Sequence, residues 1–237
     1  ELFCGYGRYP RAVAKWTRLR KFPFRLRRIG RNFLPNSPLK EGLISKNLDE
    51  FYRFMNRQWK GYPHLVCGAK SISNANDIPV ELTDPLERMM YSDILDYLPN
   101  DILAKVDRAA MSCSLETRMP LLDHRLVEFT WSLPCNIKYY HGVSKWPLRK
   151  VLYRYVPKEL VERPKMGFGI PLAQWLRGPL RDWGEALLDE KRLIHEGYLN
   201  PTPIRKEWTQ HISGEEDRNY GLWTILMFQA WLEKLKT

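Results

Sequence analysis

Two stretches of the sequence hold charged side chains at spacings that could do chemistry. In HGVSKWPLRKVLYRYVP, Lys145 and Arg149 are four residues apart, so a helix would set both on one face with their positive ends converging on an oxyanion. Pro147 is compatible with that helix if Ser144 is its N-cap, which puts Lys145 in the first turn beside free backbone N–H groups. A phosphate or pyrophosphate would fit there; the plainer alternative is an exposed surface lysine. In KVDRAAMSCSLETRMPLLDHRLVEF, Lys105 to Phe129, the charged residues Asp107, Glu116, Arg118 and Asp123 interrupt a core-forming segment. At about 100° per residue, Asp107 falls roughly 70° from the centre of its helix's apolar stripe, pointing inward or to the edge. A buried carboxylate needs a cation, a backbone donor or a ligand, and an ion pair with Arg108, Arg118 or another arginine is the structural alternative to a site. Glu116 and Arg118 come just before Pro120, which forces extended backbone at Met119. Helix ends of this kind commonly line pockets.

The elements that must position these residues are helical. Alternating strand patterns are scarce, and no Asn-Gly hairpin separates β-branched runs, so the chain reads as mainly α. Asp101 is placed as the cap of a helix with Leu103, Val106, Ala110 and Cys113 inward, and Asp123 as the cap of one through Leu126, Val127 and Trp131 to Pro134. Near the end, Ser213 and Glu216 form a capping-box pattern ahead of a core stripe at Trp223, Leu226, Met227, Ala230 and Trp231. Pro, Gly, Ser and Asn at 33–42, 61–79 and 199–203 mark long connections. In ERPKMGFGIPLAQWLRG, the glycines around Phe168 read as a loop docked on the core by its aromatic, since neither phosphate-loop pattern occurs.

Composition narrows the class. The chain has 237 residues, 44% hydrophobic and 13% aromatic, enough for one large domain or two small ones with a real core. Its longest strongly apolar run, within LWTILMF at 222–228, is far short of the roughly 20 residues that cross a membrane. No export leader is read in it, and a cytoplasmic location is expected. The four cysteines, Cys4, Cys67, Cys113 and Cys135, are widely spaced without a Cys-x-x-Cys pair, so neither zinc nor a disulfide framework is expected. The histidines are scattered, and His124 and His141 read as surface or capped residues; no metal site is expected. The net charge of +11 comes from the first quarter, where Lys15 to Arg31 interleaves cations with aromatics. That run is either a solvated helix face with snorkelling stems or a contact for nucleic acid, phosphate or an acidic partner.

Four landmarks, ELFCGY at 1–6, YLPNDILAKVDRAAMSCSLETRMPLLDHRLVEF at 97–129, KWPLRKVL at 145–152 and KMGFGIPLAQWLRG at 165–178, stand in an order that resembles one family. It is the synthetase domain of glutamine-dependent asparagine synthetases of the bacterial B type, and the match covers nearly the whole chain. The resemblance implies that 1–237 is the helical C-terminal portion of an α/β adenine-nucleotide α-hydrolase-like (PP-loop ATP pyrophosphatase) synthetase domain. The nucleotide-binding sheet is then largely missing, as are the Ser-Gly-Gly-x-Asp-Ser pyrophosphate loop and the N-terminal glutaminase domain. ELFCGY matches the end of a Ser-Gly-x-Gly-x-Asp-Glu-Leu-Phe-Gly-Gly-Tyr loop, with Cys4 in place of its first Phe-following glycine.

The implied reaction of the parent enzyme uses ATP and magnesium to activate aspartate as a β-aspartyl-adenylate, with release of pyrophosphate. Ammonia drawn from glutamine then displaces AMP to give asparagine. Lys145 is implied to stabilise negative charge on the α-phosphate and leaving pyrophosphate. Glu116 matches a carboxylate that assists proton removal from the nucleophile together with a tyrosine, for which Tyr6 is the candidate. Glu1, Asp107, Arg108, Arg118 and Arg149 are placed as binding or scaffolding residues. This reading requires Glu116 and Lys145 to face a shared cavity, and it implies that the isolated chain is inactive. Its rivals are a relative that amidates another carboxylate in cell-surface sugar or natural-product synthesis, a basic module that binds nucleic acid, and a degenerate scaffold. The implied partners are the glutaminase domain and a second copy in a homodimer.

Overall fold

The computed structural model describes residues 1–33, 39–62, 64–69, 78–163 and 169–236. The helices are α1 (Arg8–Leu19), α2 (Phe24–Phe33), α3 (Leu39–Leu43), α4 (Leu48–Asn56), α5 (Pro85–Leu95), α6 (Ala104–Met111), α7 (His124–Ser132), α8 (Cys135–Lys138), α9 (Trp146–Leu152) and α10 (Lys158–Val161). They continue as α11 (Leu172–Arg177), α12 (Arg181–Leu187), α13 (Glu190–Glu196), α14 (Pro201–Ser213) and α15 (Asn219–Lys236). A π-helical turn, Leu98–Leu103, leads into α6, and a 3₁₀ turn, Pro120–Leu122, leads into α7. One antiparallel hairpin, β1 (Tyr139–Tyr140) with β2 (Val143–Ser144), pairs Tyr139 with Ser144 and Tyr140 with Val143. The described residues group into two compact units: 1–33, 42–55 and 78–163 in the first, and 39–41, 56–62, 64–69 and 169–236 in the second. No helix among them is long and apolar enough to cross a membrane.

The first unit packs Cys4, Tyr9, Ala12, Tyr52, Met89, Met90 and Cys135 into its core. Its central helix α5 begins where the sequence dictates. Asp84 accepts the amides of Leu86 (2.7 Å) and Glu87 (3.2 Å) with Pro85 just inside the helix, so a side-chain acceptor and a preset φ coincide. The hairpin turns at His141 (φ 43°) and Gly142 (φ 83°), two consecutive left-handed residues that match the twist of the strands. An Asn-Gly search misses it because histidine stands at the first position. Within the basic run, Arg27 is buried and donates to the carbonyls of Phe22, Leu43 and Ser45, over the rings of Trp16 and Phe24. Its neighbours Arg25, Arg28 and Arg31 are exposed.

The second unit buries a leucine-rich cluster from α11 to α15 around Trp208. Asp189 and Asn200 cap α13 and α14 through the amides of Arg192 and Thr202. At the turn from α14 to α15, His211 is fully buried, and its Nδ1 accepts the amide N–H of Arg218 at 3.2 Å. The ring is therefore neutral, with its proton on Nε2.

Several expectations are corrected by these elements. Asp101 does not cap a helix: it lies inside the π-helical turn and pairs with Lys105 at 2.5 Å. Asp107 is exposed, as are Arg108 and Cys113, because α6 buries no residue fully and a side chain off its half-buried stripe of Val106 and Ala110 is already in solvent. Ser213 closes α14 instead of opening α15, its hydroxyl donating to Gln210 O at 3.1 Å. With α15 starting at Asn219, its buried face is Leu222, Ile225, Leu226, Gln229 and Leu232, leaving Met227 and Trp231 exposed. The stretch 199–203 is a helix start, not a long connection. Asp123 does cap α7, its Oδ1 accepting the Arg125 amide at 2.9 Å. The docking of Phe168 lies outside the described residues.

Burial and the nearby Arg177 guanidinium push the His211 pKa below its ordinary 6.5. The unfolded chain therefore binds more protons here as pH falls through 6.5, and stability is full above that pH and lost below it. Thermal melts followed by tryptophan fluorescence between about pH 5 and 8 should show a falling midpoint on the acid side. His211→Gln should flatten that slope; an equally steep slope in the variant would contradict the assignment.

Candidate functional site

The candidate site is built on the first seven residues and on what holds them in the first unit. Beneath them lies Asp93, a carboxylate only 3% exposed. Arg8 Nη2 and the Tyr9 hydroxyl donate to its Oδ2 at 2.6 Å each, and the Tyr52 hydroxyl bridges both oxygens at 2.9 and 3.0 Å. One buried charge thus receives three donors from α1 and α4, which offsets its desolvation and fixes α5 against both helices. Burial works against the Arg8 charge, but Tyr52 and Asp93 outweigh it and hold the guanidinium protonated. That guanidinium stacks 4.5 Å from the Tyr6 ring centre and 4.3 Å from that of Tyr97. Tyr6 is so held edge-on between Tyr9 and Tyr97. Its hydroxyl donates to Glu1 Oε1 at 2.8 Å, and burial together with that carboxylate pushes the phenol pKa above its ordinary 10.

Lys145 reaches the same loop from the other side. It occupies the N-cap position of α9 in a left-handed conformation, φ 57°, so Ser144 belongs to β2 and is not the cap. The Lys145 amide donates to Phe3 O at 3.0 Å. Its side chain lies across Gly5, where a Cβ would stand 2.5 Å from Lys145 Cε. A side chain at that position would have to push the lysine stem aside. The lysine is exposed overall, and its ammonium pairs with no carboxylate among the described residues. Cys4, between Phe3 and Gly5, has φ 52°, a conformation that costs a non-glycine residue about 1 kcal/mol.

The remaining sequence-derived candidates are placed differently. Arg149 does not converge with Lys145: its Nε donates to Ser144 O at 3.0 Å and its Nη1 to Glu162 Oε1 at 2.5 Å, and Tyr153 shares that carboxylate. Glu116 and Arg118 form an exposed pair at 2.7 Å. Asp107 and Arg108 face solvent on α6. Hollows of about 550, 300 and 130 Å³ are present among the described residues, and none is lined by Glu116 or Lys145. The structure therefore brings Glu1, Tyr6 and Lys145 to one loop and does not join Glu116 to them. The Asp93 cluster escaped sequence reading. Its signal was an acid at i+3 and i+4 from Met90 and Met89 on the apolar face of PLERMMYSDIL.

A family model described as asparagine synthase matches residues 1–233. A Mycobacterium tuberculosis protein provisionally named as a glutamine-hydrolyzing asparagine synthetase is 29% identical over 98% of this chain and 37% of its own length. Glutamine-hydrolyzing asparagine synthetase 1 of Bacillus subtilis is 30% identical over 62% of this chain and 23% of its own. That of Bos taurus is 34% identical over 45% of this chain and 20% of its own. The chain thus spans little more than a third of the mycobacterial relative, and less of the others. No solved structure matches it.

Removing the carboxylate by Asp93→Ala takes the shared acceptor from the half-buried Arg8 guanidinium and the buried Tyr9 hydroxyl. The expected cost is about 3–5 kcal/mol of folding stability, measured by urea unfolding. A loss under about 1 kcal/mol would contradict the role given to Asp93.

Proposed function

The chain belongs to the asparagine synthase family, and on that premise we propose that it is the helical C-terminal portion of a PP-loop synthetase domain whose longer protein joins ammonia to an ATP-activated carboxylate. The proposed acid is aspartate and the proposed ammonia source is glutamine. The observation that carries this reading is the junction of Lys145 with loop 1–7. An exposed ammonium is held by a backbone hydrogen bond to Phe3 and by a stem laid across Gly5, beside a tyrosine and a carboxylate.

A nucleotide phosphate fits this junction, because an ammonium without a carboxylate partner is free to meet an anion. ATP supplies the activation: attack of the carboxylate on its α-phosphorus releases pyrophosphate, and ammonia then displaces AMP. Lys145 faces the charge that builds on the phosphate oxygens as the pyrophosphate leaves, and its left-handed N-cap backbone sets the direction of approach. Tyr6 is protonated at neutral pH, its hydroxyl donating to Glu1 and its ring held by the Arg8 stack. Magnesium is proposed to accompany the ATP. No group of three or more His, Cys, Asp or Glu able to hold a metal occurs among the described residues, so no step is assigned to a metal on this chain.

In the full-length protein, Lys145→Ala should lower kcat about 100-fold or more while circular dichroism and melting temperature stay unchanged. Unaltered turnover would remove Lys145 from the chemistry. Gly5→Ala forces the lysine stem aside and should lower kcat by a smaller factor, again with the fold retained. If Gly5→Ala is fully active, the stem does not set the position of the ammonium. Competing carboxylic acids assayed beside aspartate decide the substrate, and amide formation from another acid alone would replace aspartate in this reading.

A further inference from the structure

The basic run from Lys15 to Arg31 takes no part in the proposed reaction. Residues 8–33, which carry α1 and α2 in the first unit, hold ten Lys and Arg and no Asp or Glu. Eight of the ten cations are exposed, all but Arg8 and Arg27, and none of the eight pairs with a carboxylate among the described residues. The same segment leaves Phe22, Leu26, Ile29 and Phe33 each more than half exposed. Apolar groups gathered in water in this way, among charges, mark a surface that meets a partner.

These residues are sorted by side around α2. At about 100° per residue, Leu26, Ile29 and Phe33 fall within about 60° of one another, and Arg27 lies roughly 130° from their centre. Arg27 is the buried anchor, donating to Leu43 O and Ser45 O at 2.9 Å each. The helix is thus tied to the first unit through that flank and turns its apolar stripe to solvent. Arg25 borders the stripe on one side. On the other, a hollow of about 550 Å³ opens between α1 and α2, lined by Leu19, Phe22, Leu26 and Leu43 together with Lys15 and Arg18. An apolar strip therefore lies between the cations of two helices.

We propose that the α1–α2 face is a docking surface for an anionic lipid bilayer, with the stripe of α2 in the acyl boundary and the arginines and lysines at the level of the headgroup phosphates. An amphipathic helix with cations on its polar side and Phe, Leu and Ile on the other binds in this way, through buried apolar area and attraction to anionic lipid together. Charge of a single sign selects the partner. A folded protein is fixed in register by complementary charges and hydrogen bonds, whereas this face offers cations alone, which a field of phosphate groups meets in any register. Nucleic acid would satisfy the cations yet leave Leu26 and Ile29 against water, because its bases stack on aromatic rings.

No helix among the described residues is long and apolar enough to cross a membrane, so this contact lies on the surface of the bilayer, reversible and weakened by salt. The inference does not rest on the proposed function. It bears on the candidate site all the same: α1 begins at Arg8, whose guanidinium stacks on Tyr6, so the docked helix carries loop 1–7 with it to the bilayer.

The test is flotation of the 237-residue chain with vesicles of phosphatidylcholine alone or mixed with phosphatidylglycerol. The chain should rise with the mixed vesicles at physiological salt, leave them in concentrated salt, and ignore phosphatidylcholine. Leu26→Ser with Ile29→Ser, both at exposed positions, should lower the partition coefficient about tenfold or more while circular dichroism and melting temperature stay unchanged. Arg25→Glu with Arg28→Glu should abolish binding. A parent chain that does not bind the mixed vesicles would overturn the proposal, as would binding that the serine changes leave intact, since charge alone would then account for it. Light scattering that shows a dimer split by the serine changes would overturn it in favour of a second copy, and retention on duplex DNA in preference to the mixed vesicles would overturn it in favour of nucleic acid.

Discussion

A single buried carboxylate organises the first unit. Asp93 is nearly inaccessible and would be too costly to keep charged in an apolar core, so the fold must bring donors to it. It brings Arg8, Tyr9 and Tyr52. The same arginine that neutralises Asp93 stacks on Tyr6 and Tyr97, so the order of the buried pair passes outward to the loop. From there the chain needs only two local devices to complete the site: a carbonyl at Phe3 for the Lys145 amide, and a missing side chain at Gly5 for the lysine stem.

Lys145 is delivered by backbone geometry as much as by side-chain contacts. His141, Gly142 and Lys145 all take positive φ within five residues. The first two turn the hairpin tightly, and the third swings the chain into α9 with its side chain directed at loop 1–7. Cys4 is a further left-handed residue on the facing segment. Strain is thus gathered where the two segments meet, and the surrounding core holds it in place. A glycine would occupy the position of Cys4 without this cost, in keeping with the family pattern at that point.

Legibility in the sequence followed the range of the interactions. The Asp123 cap and the mainly helical class were readable because each depends on neighbours a few residues away. The α6 register was not, since the π-helical turn at Leu98–Leu103 precedes it and no local propensity announces such a turn. Ser213 satisfied a capping-box pattern but closed a helix, because Gln210 O takes the Glu216 amide that the box would need and Gly214 ends α14 in a left-handed turn. In the candidate site, Lys145, Tyr6 and Glu1 were found through motif resemblance, while Asp93 was not, for its donors lie 41 to 85 residues away along the chain. Arg149 was assigned to an oxyanion from i, i+4 spacing alone; a carboxylate thirteen residues on, Glu162, took it instead.

In the proposed reaction the carboxylate attacks the α-phosphorus of ATP with Lys145 turned to the phosphate. Oxygen-18 in the substrate carboxylate follows that step directly in the full-length protein. One labelled oxygen should appear in AMP, with unlabelled pyrophosphate beside it. Label recovered in orthophosphate together with ADP would mean attack at the terminal phosphorus and would contradict the account.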